Sequence, residues 1–264
     1  MAINRVLAAS GLVRPVRIRG FCPACRVGAT ATVGNEVPAR AVLALVVLAV
    51  AAAAWVVAIA HARSMSGAMG LGPLPSFAAA WIVMMVAMML PSATPLVLGF
   101  ARSNERRRYW PAATGLLMVS YLAIWFAFGV TGFALYNLLR MPWPQQGLLG
   151  GALLALAGAY ALTPWKRAGE ARCRELCVLH GPLPFNLFQS AMVAGARYGV
   201  SCLGCTGALM GAMVVIGMTS AAWMALIAAF VLLYKLTPAP SLSRTVSLAA
   251  VLAALGAVYA LTIP

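Results

Sequence analysis

Aspartate does not occur in this sequence, and its acidic residues number four: Glu36, Glu105, Glu170 and Glu175. Histidine occurs twice, as His61 and His180. Charged residues make up 9% of the 264 residues, against about 25% in an ordinary soluble domain. The long apolar runs hold no Asp, Glu, Arg, Lys or His away from their ends. A proton-coupled carrier places ionisable groups there, an intramembrane metalloprotease needs His and carboxylate ligands, an intramembrane serine protease needs a base, and a retinal protein needs a lysine. None of these has its residues. No glycine-rich phosphate loop is present either.

What is abundant is apolar surface, 63% of the residues, and basic charge, 19 Lys plus Arg for a net +15. A soluble core of this length has no use for so much apolar surface, whereas a lipid bilayer does. The basic residues lie in short stretches between the apolar runs, the pattern of membrane-orienting loops and lipid contacts rather than of nucleic-acid binding. The N-terminal segment 1–40 carries Arg5, Arg14, Arg17, Arg19, Arg26 and Arg40. Its one apolar stretch, Val6 to Val13, is short and interrupted, so it reads as a basic cytoplasmic tail and not as a cleaved signal.

A membrane-spanning helix needs roughly 20 mostly apolar residues. Seven stretches qualify or nearly so: 41–60, 77–100, 112–136, 147–163, 197–218, 221–236 and 245–263. Backbone groups in lipid must be paired internally, and continuous apolar runs of this length fit helices, since barrel strands are shorter and alternate in polarity. The Lys and Arg counts in successive flanking segments are six, one, four, one, five, none, two and none, so alternate segments hold 17 and 2. By the positive-inside rule this places the N-terminus in the cytoplasm and the C-terminus outside. The expected fold is an all-α polytopic bundle of about seven transmembrane helices: a tail over 1–40 and a membrane domain over 41–264, with a cytoplasmic cysteine-containing loop over 164–197. The expected location is the bacterial inner membrane, crossed several times, with the lipid bilayer as partner and no nucleic acid.

Sulfur is the reactive chemistry left inside the membrane. The six cysteines fall into three close pairs: Cys22 and Cys25, Cys173 and Cys177, Cys202 and Cys205. In a reducing cytoplasm such pairs are thiols, which bind Cu(I) or Zn(II) well. Spacings of four and three place each of the last two pairs on one helix face. Cys205 lies ~12 Å beyond Arg197 at the helical rise, so a folded-back loop bearing Cys173 and Cys177 is able to bring four sulfurs together near the inner boundary, with His180 close by. Buried packing and thiol–disulfide exchange through Cys202 and Cys205 are the other readings of these residues.

Methionine occurs 14 times. Met84, Met85, Met88 and Met89 cluster in the second run, and Met210 and Met213 lie in the fifth. Counting from Arg102 and Arg197, Met88 and Met210 each lie roughly 20 Å from the inner edge, so Met84 and Met88 are expected to face Met210 and Met213. The thioether is a neutral soft ligand for Cu(I), and it is also a good filler of irregular packing gaps. His61, Met65 and Met69 recur at four-residue spacing outside the first run, a pattern for copper capture or else a flexible linker. Pro91 and Pro95 interrupt the second run, each freeing a carbonyl.

Three stretches together resemble a bacterial family of predicted metal-binding integral membrane proteins. They are W-I-V-M-M-V-A-M-M-L-P-S-A-T-P from Trp81, L-T-P-W-K followed by Cys173 and Cys177, and G-V-S-C-L-G-C-T-G-A-L-M-G-A-M from Gly199 with the later W-M and Y-K. The chain departs from the family's pattern at Thr206, where a further cysteine is common, and in the spacing from Lys166 to Cys173. The resemblance implies a metal, and copper ahead of zinc. The reading that follows is a non-catalytic membrane protein that binds copper, transfers it or loads a membrane copper enzyme, with a copper enzyme or copper chaperone as partner. Its candidate ligands are Cys173, Cys177, Cys202, Cys205, Met84, Met88, Met210, Met213, His61, Met65 and Met69. A membrane thiol oxidoreductase and an accessory subunit of a membrane complex are the alternatives.

Overall fold

The computed structural model describes residues 39–64, 71–140, 146–177, 186–216, 221–236 and 242–262, and these are all-helical, without strands. Eight helices follow one another: α1 (Ala39–Ser64), α2 (Leu74–Asn104), α3 (Trp110–Leu138), α4 (Gln146–Ala161), α5 (Pro164–Cys177), α6 (Leu187–Ile216), α7 (Ala221–Leu236) and α8 (Leu242–Thr262). The tail with Cys22 and Cys25 lies outside the described residues.

Local sequence sets the helix ends. Pro75 and Pro111 stand in the first turns of α2 and α3, where a missing N–H costs nothing. Gly72, at φ +67°, turns the chain into α2. Arg140, at φ 51°, takes the left-handed conformation that ends α3, donating its N–H to the Asn137 carbonyl.

Four helices, α1, α2, α3 and α6, are long and apolar enough to cross a bilayer. α4 and the first part of α5 qualify together as a fifth, bent by 72°, and α7 and α8 contain shorter apolar helices. The outward faces are apolar as well: Leu45, Val46, Val56 and Val57 on α1, Val119 and Leu135 on α3, and Val200 on α6 are all exposed. Such a surface is unstable in water over this extent and stable against lipid. In α2 and α6, 56% and 61% of the apolar window is buried, against 17% and 22% in α1 and α3. The Met-rich and Cys-rich helices are therefore the central ones.

α3 runs parallel to α6: a Cβ at Gly195 would strike Leu117, one at Gly199 would strike Ile124, and Gly132 faces Val214. α2 runs antiparallel to α3, with Phe77 against Phe133 and Trp81 donating to the Trp125 carbonyl at 2.9 Å. α4 and α8 cross in opposite senses through glycine, since a methyl on Gly151 or Gly256 would lie 2.5 Å from the other's carbonyl oxygen. Small residues of this kind let helix backbones approach closely in membranes.

The segment expected as a loop over 164–197 is largely helical. It contains α5 and the first turns of α6, which begins at Leu187 and not at Arg197. Arg197 lies on the exposed side of α6, where a long basic side chain reaches solvent without ending the helix.

Candidate metal centre

The α4–α5 corner creates the centre. Thr163 Oγ1 donates to the Tyr160 carbonyl at 2.7 Å and accepts the Lys166 N–H at 3.4 Å. Thr163 therefore caps α5, and Pro164 occupies its first position. The bend lays α5 across α6 where both backbones are bare: a methyl on Gly169 would come within 3.3 Å of the Gly204 carbonyl carbon and 3.4 Å of the Cys205 nitrogen. Tyr160 adds a 2.6 Å hydrogen bond to the Gly204 carbonyl. The inner face of α5 carries Lys166 and Glu170, a buried ion pair at 2.8 Å, and one turn further on Cys173.

This crossing brings Cys173 Sγ to 3.7 Å from Cys205 Sγ, and Cys173 also faces the Cys202 thiol. Cys205 donates its S–H to the Cys202 carbonyl at 3.2 Å, one turn back on α6. Cys202 is fully buried, its sulfur 3.5 Å from the Tyr121 hydroxyl of α3 and 3.8 Å from Thr206 Oγ1. Thr206 also donates to the Cys202 carbonyl at 2.9 Å. Cys173 is half-buried, and none of the three is in a disulfide. Cys177 is the last residue of α5, and its side chain lies outside the described residues. Among the described residues no three His, Cys, Asp or Glu side chains are arranged as a ready metal cage. The thiols form a close pair with a third beside it.

The methionines lie deeper. Met84, Met88, Met210 and Met213 are at most 4% exposed, and together with Cys202 they belong to one continuous apolar cluster. Tyr198 on α6 donates to the Ser92 carbonyl of α2 at 3.1 Å, which pins the register of the two helices. Four residues onward on α6 is Cys202, and four residues back on α2 is Met88. Since the helices run in opposite senses, these two lie at about the same depth at the shared rise of about 1.5 Å per residue. By the same count Met210 is level with the region of Trp81, not with Met88. Arg102 and Arg197 mislead here because Arg102 stands ten residues beyond Ser92 while Arg197 adjoins Tyr198. On this register the two arginines differ in depth by roughly 13 Å.

At the opposite end, His61 lines a cavity of about 300 Å³ between α1, α2 and α7. Val57, Ala58, Ser76, Val83 and Met224 complete most of its wall. Met65 and Met69 lie outside the described residues. The structure thus brings Cys173, Cys202 and Cys205 together, aligns Met88 with them in depth, and separates His61 at the far end.

Tyr121, the Lys166–Glu170 pair and Met224 border these candidate sites and were not among the ligands expected from sequence. For Lys166 and Glu170 the i,i+4 spacing of opposite charges was a usable signal. For Tyr121 and Met224 none existed, because their relevance comes from neighbouring helices.

A model of the family described as PpoB2, copper chaperone, matches residues 78–259, which include every one of these thiols and the central methionines. Comparison with curated proteins and with solved structures gives no match.

Proposed function

The chain belongs to the PpoB2 copper-chaperone family, and from that premise we propose that it is a non-catalytic Cu(I) carrier of the bacterial cell membrane that loads a membrane copper enzyme. The observation that carries this reading is the 3.7 Å approach of Cys173 and Cys205, with Cys202 beside them, at the edge of a buried core rich in methionine sulfur.

Soft sulfur ligands select Cu(I), while carboxylate and water suit harder ions. Binding at the thiols proceeds with loss of their protons, because the thiolate is the ligand. Cys173 and Cys205 supply the first pair of thiolates. Cys202 stands next in line, oriented by the Tyr121 hydroxyl, and Cys177 closes the same helix. Met88, level with Cys202, then Met84, Met210 and Met213 offer neutral thioethers across the core, so the ion moves by ligand exchange without adding buried anionic charge. His61, with Met65 and Met69, serves the opposite end. Seven spans with the N-terminus in the cytoplasm, following the 17-to-2 distribution of Lys and Arg, place the thiols at the cytoplasmic side and His61 outside.

The test is copper content after loading detergent-purified protein with Cu(I) under reducing conditions, without chelator. Wild type is expected to retain copper. Loss of a supporting contact alone lowers metal affinity roughly 10–100-fold, so Cys173→Ser/Cys205→Ser is expected to lose at least that much. A wild type that binds no Cu(I), or a double variant that binds it equally well, refutes the assignment.

A further inference from the structure

Cysteine spacing along the chain pairs Cys202 with Cys205, yet a 3.7 Å sulfur–sulfur approach joins two helices, through Cys173 of α5 and Cys205 of α6. A disulfide needs sulfurs about 2.05 Å apart and Cα atoms within roughly 7 Å. The glycine crossing supplies the close backbones, since a Cβ on Gly204 would be 4.0 Å from the Gly169 Cα. Side-chain rotation then has only about 1.7 Å of sulfur separation to close. The two thiols also differ in access. Cys173 is half-buried, whereas Cys205 is 6% exposed. Cys202 also faces Cys173, but it is wholly buried and its sulfur already contacts the Tyr121 hydroxyl and Thr206 Oγ1.

We propose that Cys173 and Cys205 form a reversible redox pair, and that closing their disulfide dismantles the Cu(I) site. Cys173, the accessible thiol, attacks one sulfur of an incoming organic disulfide. The incoming S–S bond breaks, one half departs as a thiol carrying the proton that Cys173 gave up, and the other half stays bonded to Cys173. Cys205 then attacks Cys173 Sγ, its proton passing to the second departing thiol. Two protein thiols are oxidised to one disulfide, and one external disulfide is reduced to two thiols. An external dithiol reverses the sequence. The consequence for metal rests on the copper reading: the linked sulfurs are no longer thiolates, so the first pair of thiol ligands vanishes and a bound ion is released toward the thioethers. Conversely, Cu(I) held between the sulfurs blocks the attack.

The experiment treats metal-free full-length protein in detergent with oxidised glutathione, alkylates the remaining thiols, and maps the linked peptides by mass. The expected product is a Cys173–Cys205 link, which also forms in Cys202→Ser and is absent in Cys173→Ser. The wild-type map decides the pairing if a variant does not fold. Prior loading with Cu(I) is expected to slow the link at least tenfold. Glutathione that stays on Cys173 with no internal link, or a dominant Cys202–Cys205 link, overturns the proposal. Retained copper binding in that case leaves the carrier reading intact. A link that forms equally fast with and without Cu(I) upholds the redox pair and removes copper from these sulfurs.

Discussion

Replacing Gly195 by alanine probes the contact that holds Tyr121 against Cys202. A methyl on Gly195 would overlap the carbonyl oxygen of Leu117 on α3 and approach Ser120 Cβ to 3.0 Å and the Leu117 carbonyl carbon to 3.1 Å. Two of these atoms are main chain and the third is a Cβ, so none swings aside. α3 and α6 must part by something on the order of 1 Å to restore ordinary contact. Overpacking of a tight core costs about 1–3 kcal/mol, here near the top of that range because backbone must move. Alanine's better helix propensity returns at most about 1 kcal/mol. A net loss of about 2 kcal/mol corresponds to a fall of roughly 4–8 °C in Tm for a chain of this size. The assay is thermal unfolding followed by circular dichroism in detergent, with Gly115→Ala as control. Gly115 is on α3 too, but a methyl there meets nothing within 4 Å, so this variant is expected to hold or raise Tm. A second readout is maleimide labelling of Cys202. Its thiol is wholly buried and borders the same seam through Tyr121, whose ring packs on Tyr198 at 5.5 Å, so it is expected to react faster in Gly195→Ala. Equal Tm for the two variants, with Cys202 equally protected, would falsify the seam argument.

The buried Lys166–Glu170 pair gives a second expectation: Lys166→Met leaves a carboxylate unpaired against α6 and is expected to cost about 3–5 kcal/mol, while Lys166→Met/Glu170→Leu recovers most of the loss, because removing both charges avoids that penalty. Thermal unfolding decides this, and a double variant no better than the single one refutes it. Topology is open to a third check. With native thiols blocked, Arg107→Cys in the turn before α3 and Leu138→Cys at its C-terminal end are expected to react with an impermeant maleimide from opposite faces of the membrane. Labelling of both from one face refutes the orientation.

Much of the helical architecture is legible in the chain because each cue is local. Apolar runs long enough for a bilayer mark α1, α2, α3 and α6, and Pro75 and Pro111 lie just inside two helix starts. The residues 187–196 went unread as helix because Arg197 looked like a boundary, although a charge on the exposed side of a helix ends nothing. The depth comparison of Met88 with Met210 failed for a related reason: it took arginines as rulers, and the Tyr198–Ser92 hydrogen bond sets a different register.

Composition and periodicity by themselves determined that this chain is helical, that its outer surface belongs in lipid, and that sulfur is the chemistry left in its core. Those properties depend on residue type and on spacing within one helix. Which sulfurs meet was decided only by tertiary structure. Sequence spacing shows that Cys202 and Cys205 share a face of α6, but not how α5 is rotated or where it crosses. The Thr163–Pro164 corner and the Gly169–Gly204 contact fix that crossing, and they give Cys205 a partner from another helix, 32 residues away along the chain.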